Sequence, residues 1–135
     1  MSLFKVFNVS GSAVSAQSQR LNVVASNLAN ADSVAGPDGK PYKARQVVFQ
    51  TQMIDGEQTA AGVRVAQVAE DNTAPRRIHD PSHPLADEQG FVTMSNVNVV
   101  EEMVNMISAS RSYQTNIDVM NTAKTLLQKT LQLGS

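Results

Sequence analysis

Two proline-free stretches at opposite ends of the chain, each with apolar residues seven apart, limit the fold more than anything else in the sequence. From Val99 to Leu133 there is neither proline nor glycine, and Val99, Met106, Tyr113, Met120 and Leu127 recur without interruption. Met103, Ile117 and Leu131 each follow a member of that series by four residues and widen the stripe. From Leu3 to Asn30 proline is absent and Gly11 is the only glycine, while Phe7, Val14, Leu21 and Leu28 keep the same interval. A seven-residue apolar repeat marks a helix that packs along a narrow seam. The sequence therefore predicts two long terminal helices, paired antiparallel in the manner of a coiled coil. These twelve seam residues are also the expected assembly interface, because each helix is longer than so small a chain needs.

The second helix has a well-marked start. Asn98 is placed to cap it, Glu101 follows at box-like spacing, and Glu101 and Glu102 sit at the positive helix end. Gly134 stands at its stop. The first helix is unusual in what it shows outside its seam. Ser10, Ser12, Ser15, Gln17, Ser18, Gln19, Asn22, Ser26, Asn27 and Asn30 are neutral, and only Lys5 and Arg20 are charged. A helix facing water usually carries lysine and glutamate. Short neutral side chains suit a helix that neighbours surround, so this one is expected to pack on several sides in an assembled state.

Between the helices the period changes. The run 35–41, Ala-Gly-Pro-Asp-Gly-Lys-Pro, breaks the first helix. Tyr42–Met53 and Gly62–Ala69 read as strands around an Asp55-Gly56 turn, and Phe91–Met94 reads as a last short strand. Ala74–Gly90, with Pro75, Pro81 and Pro84, reads as loop or irregular extended chain. The fold class is α+β: residues 1–31 form one helix, 32–96 a small β-rich region and 97–135 the other helix, together one structural unit.

Composition removes several function classes. The 135 residues include no cysteine, which excludes disulfides and thiol chemistry, and their net charge of −1 includes no basic stripe for nucleic acid. No window approaches the roughly 18 apolar residues of a membrane span, so no direct membrane insertion is expected. The N-terminal segment lacks the apolar core of a cleavable signal, since Lys5, Asn8 and Ser10 interrupt it. His79 and His83 are four apart, but Pro81 and Pro84 exclude the single helical face that such a zinc pair needs. The stretch reads as a structured turn, with no catalytic, cofactor or metal site. Arg64, Arg76 and Arg77 are too few for a phosphate site and are expected to meet acidic groups of neighbouring subunits.

Residues 10–31, with Gln19-Arg20-Leu21 and Ser26-Asn27-Leu28-Ala29-Asn30, resemble the N-terminal signature of the flagellar rod and hook axial proteins. Residues 95–107, Ser-Asn-Val-Asn-Val-Val-Glu-Glu-Met-Val-Asn-Met-Ile, with Arg111, Tyr113 and Asn116 after them, resemble the signature at the other end. The chain is too short for the large extra domain of the hook and distal-rod members, which points to a short proximal-rod member. That resemblance implies a structural subunit of the periplasmic rod and no enzyme. It implies assembly with other copies of itself, with the proximal-rod proteins FlgB and FlgF, the distal-rod protein FlgG and the ring adaptor FliE. It also implies passage through the flagellar type III export apparatus without signal cleavage. The alternative from the residues alone is a soluble helical adaptor or export chaperone forming a discrete oligomer.

Overall fold

The structure is a computed structural model and describes residues 2–54 and 56–134. Helix α1 spans Leu3–Ala29 and helix α2 spans Val99–Leu133. Between them lie strands β1 (Arg45–Ile54), β2 (Glu57–Glu70), β3 (Arg76–His79) and β4 (Phe91–Met94). They form two separate antiparallel pairs, β1 with β2 and β3 with β4. The two-helix, β-insert architecture is the one predicted.

Both helices begin on the expected chemistry. The Ser2 hydroxyl accepts from the Lys5 N–H at 3.2 Å, and the Asn98 side chain accepts from the Glu101 N–H at 3.2 Å. Each satisfies one of the donors that a helix start leaves open. The helices run antiparallel, as three contacts along their length establish. Gly11 lies beside Met120, Arg20 Nη2 reaches Asn105 Oδ1 at 3.5 Å, and Asn27 Nδ2 donates to Glu102 Oε2 at 3.0 Å. With 35 residues against 27, α2 overruns its partner at the far end.

The seam itself differs from the prediction. The buried line on α2 runs through Glu102, Ala109 and Ala123, and on α1 through Ser10, Ala16, Val24 and Asn27. The larger residues of the seven-residue series are half-buried, except Met106, which is exposed. The contacts between the helices include polar ones, Arg20 with Asn105 and Asn27 with Glu102, beside that of Gly11 with Met120.

The β1–β2 hairpin lies on α1, on a different side from α2. Its pairing runs from Arg45 opposite Glu70 to Ile54 opposite Glu57, with irregularities after Val48 and after Met53. The expected strand limits of Tyr42–Met53 and Gly62–Ala69 are thus shifted, since β2 begins before Gly62 and Tyr42 lies ahead of β1. Asp55 lies outside the described residues, and Gly56 has the positive φ of 72° that a tight hairpin connection needs. Gly62 allows the hairpin to dock, because a Cβ there would lie 2.6 Å from Ser12 Oγ. That hydroxyl accepts from the Val63 N–H at 3.0 Å and donates to the Val9 carbonyl at 2.6 Å.

Strand β3 was not predicted. Arg76–His79 falls in the proline-rich stretch expected to be loop or irregular extended chain, yet it pairs in register with β4 from Arg76–Met94 to His79–Phe91. Five residues between Pro75 and Pro81 carry no period to read, and only the partner strand fixes four of them as a strand.

Candidate functional site

The region where the helices and both hairpins meet is built almost wholly from the two motifs that lie at the ends of the β region. Asn27 is fully buried at 0 % exposure and uses its amide completely. Its Nδ2 donates to the Arg45 carbonyl at 2.8 Å and to Glu102 at 3.0 Å. Its Oδ1 accepts from the Tyr42 hydroxyl at 2.8 Å and from the Arg45 N–H at 2.9 Å. The Tyr42 proton is thereby committed, so Ser26 is the donor in its 3.1 Å bond to the Tyr42 oxygen. One side chain of α1 thus fixes the start of β1, the preceding loop and the first turn of α2.

The second motif works from the opposite side. Ser95 donates to the Ala31 carbonyl at 2.7 Å. Asn96 accepts from the Ala44 N–H at 2.7 Å and donates to the Asp71 and Thr73 carbonyls at 2.9 and 3.1 Å, clamping the two ends of the hairpin. Val97 joins Ala31 and Ala44 in the apolar core, against Tyr42 and Val99, and Asn98 caps α2. Arg76 closes the junction by donating to the Ala31 and Ser95 carbonyls. Its ion pair with Asp32, at 3.6 Å, is largely exposed and adds little.

Arg64, Arg76 and Arg77, the arginines expected to reach neighbouring subunits, also bond within the chain. Arg76 is engaged as described, Arg77 pairs with Asp87 at 2.8 Å, and Arg64 donates to Gln50. All three find partners inside the chain. The two histidines also do separate work. His79 packs edge-on against Phe91 at 4.9 Å, and His83 Nδ1 accepts from the Leu85 N–H at 3.0 Å. Among the described residues no three potential ligands converge on a metal position.

Asp87 organises the loop before β4. Its carboxylate accepts from the Phe91 and Gln89 N–H groups at 2.8 and 2.9 Å. The Phe91 bond, then the Gln89 bond and Arg77, hold its pKa below the usual aspartate value against a smaller opposing effect of desolvation.

Outside the junction the molecule is open. α2 packs on α1 and on no other described helix or strand. Val100, Val104 and Ile107 share one of its faces and are 71 %, 60 % and 54 % exposed. Val119, Leu126 and Leu133 extend apolar surface toward the other end. Of the twelve predicted seam residues, Met103, Met106 and Leu131 are exposed. Phe7, Val14, Leu21, Leu28, Val99, Tyr113, Ile117, Met120 and Leu127 are half-buried beside the helix contact. The total accessible surface is 8781 Å² for 14.5 kDa, where a compact monomer of that mass shows about 6,900 Å². The geometry is that of a subunit carrying unspent apolar surface.

Comparison with known proteins agrees in both halves. A family model described as flagella basal body rod protein matches residues 7–37. A second, described as flagellar basal body rod FlgEFG protein C-terminal, matches residues 88–133. The flagellar basal-body rod protein FlgC of Yersinia enterocolitica is 60 % identical over 134 residues, covering 99 % of each chain. The chain belongs to the FlgC family of flagellar basal-body rod proteins. FlgC of Escherichia coli O157:H7 is 58 % identical over 134 residues, and that of Buchnera aphidicola from Baizongia pistaciae is 43 % identical over 136, each with 99 % coverage of both chains. The family matches reach the Asn27 and Asn96 junction from both sides, so the motifs that carry the resemblance are also the ones that join the elements.

Proposed function

We propose that the chain is a structural subunit of the bacterial flagellar rod, acting by packing and not by catalysis. The observation that carries this reading is the apolar face of α2, exposed in a chain whose surface exceeds the compact expectation by roughly 1,900 Å². Burying such area at about 25 cal/mol per Å² is enough to hold a helical assembly together. The terminal segments, 1–31 and 97–135, supply the axial packing layer, and residues 32–96 set contacts between copies. Neighbours are other copies and the rod components FlgB, FlgF, FlgG and FliE. The chain reaches the periplasmic rod through the flagellar export apparatus with its N-terminus uncleaved. Val104→Glu and Ile107→Glu test this, since both side chains point to solvent. The purified variants should unfold as the parent does, within about 0.5 kcal/mol, while cells carrying them build no rod and do not swim. Normal swimming by both would overturn the reading.

A further inference from the structure

An aspartate side chain can close a five-membered ring on the backbone nitrogen that follows it, and a glycine there offers no side chain to obstruct closure. Asp38 is followed by Gly39, whereas no asparagine in the chain precedes a glycine. Asp55, also followed by a glycine, lies outside the described residues. The remaining aspartates are placed against such a closure. Asp80 precedes Pro81, which has no N–H to react with. The Asp87 carboxylate is held by Phe91, Gln89 and Arg77. Asp118 lies inside α2, where the helix fixes the next amide, and Asp32 precedes Ser33, whose N–H donates to the Asn30 carbonyl. Asp71 is followed by the larger Asn72.

The turn itself brings the two groups together. Pro37 and Asp38 are its central residues, and the Gly39 N–H donates to the Gly36 carbonyl at 2.9 Å. Asp38 Oδ1 accepts from the Lys40 N–H at 3.1 Å, so the carboxyl folds back across the Gly39 amide that lies between them. Asp38, Gly39 and Lys40 are exposed, and a Cβ on Gly39 would meet nothing within 4 Å. We infer that Asp38-Gly39 is a site of spontaneous isoaspartate formation. The Gly39 nitrogen attacks the Asp38 Cγ, and the carboxyl hydroxyl leaves with the amide proton as water, closing a succinimide. Water then opens the ring. Attack at Cγ restores aspartate, and attack at the Asp38 main-chain carbonyl carbon leaves the chain running through Cβ and Cγ. The fold tolerates the added main-chain carbon, because the hydrogen bonds of residues 36–41 stay within the loop and the junction begins at Tyr42. The change therefore marks an aged chain without unfolding it, and it is independent of the rod reading.

The test ages the purified full-length chain at physiological pH and temperature, both folded and in guanidinium chloride. Digestion with endoproteinase Asp-N, which cuts before aspartate but not before isoaspartate, is then read by mass spectrometry with electron-transfer fragmentation. Cleavage before residue 38 should fall with age, while cleavage before Asp71 and Asp87 holds. The folded chain should convert within about tenfold of the unfolded rate, since a single exposed turn is all that must open. Asp38→Glu cannot close the five-membered ring and should give no product at position 38. Asp38→Asn loses ammonia in place of water and should form the same product faster. Thermal unfolding of the aged chain should match that of the fresh one. A folded chain that keeps its aspartate at 38 while the unfolded chain converts would sink the inference, because the turn would then protect the site. Conversion at Asp71 as fast as at Asp38 would sink it too, since the turn would then contribute nothing.

Discussion

At the scale of single residues, polar side chains decide more than the apolar repeat does. Asn27 is fully buried and makes four hydrogen bonds. Replacing it with alanine strands the Arg45 backbone, the Tyr42 hydroxyl and the Glu102 carboxylate, and each buried group left unmatched costs about 1–3 kcal/mol. Asn27→Ala should lower the unfolding free energy by about 3 kcal/mol or more in urea denaturation, and a loss below about 1 kcal/mol would mean that water fills the site. Asp87 gives a prediction in pH. Its folded pKa is depressed, so its contribution is present above the unfolded value of about 3.9 and is lost as pH falls through the lower folded value. Relative to intrinsic exchange, the Gln89 and Phe91 amides should therefore accelerate as pH falls below the usual aspartate range. In Asp87→Asn the acceleration should be absent.

At the scale of elements, the critical contact is the hairpin on α1. Gly62 and Ser12 meet so closely that a methyl group at position 62 has no room. Gly62→Ala should lift β2 from α1 and destabilise the chain by about 1–3 kcal/mol, the usual range for overpacking. Ser12→Ala in the same chain removes the 2.6 Å contact and should recover part of the loss, although it gives up the Val63 bond. Thermal unfolding of the two single variants and the double variant checks this, and strict additivity would show that the contact is not the cause. The helix pair obeys a similar rule. Met120 reaches Gly11 across the contact, so Met120→Lys should weaken the subunit itself as well as its assembly.

At the scale of the molecule, the proposed assembly face of α2 and the polar junction that holds the fold lie on different surfaces. The junction around Asn27 and Asn96 holds the fold, whereas Val100, Val104 and Ile107 on the outer face of α2 are exposed. Variants at Val104 or Ile107 should alter rod formation with little change in unfolding, and variants at Asn27 or Gly62 should do the reverse in proportion to their instability. Motility assays set against denaturation of the same variants would show this as two classes. A single trend linking the two measurements would mean that one surface serves both purposes.

Much of this was legible in the sequence because it depends on local period and local caps. Seven-residue spacing announces a helix that packs, Asn98 announces a helix start, and Phe91–Met94 announces a strand, whatever lies beyond them. The neutral polar surface of α1 was also visible, but its reading was incomplete. Asn27, Ser10 and Ser12 are satisfied or covered within the chain, where the expectation was other subunits. Strand β3, the buried line of small residues and the internal partners of Arg64, Arg76 and Arg77 were not legible. Each depends on which segments meet, and hydrogen bonds and close backbone approach between residues tens of positions apart leave no period behind. The sequence by itself determined two packing helices around a β insert, because backbone hydrogen bonding and apolar spacing act over a few residues. Only the tertiary structure decided which side of each helix is spent inside the chain, because that depends on the size and polarity of the side chains brought face to face.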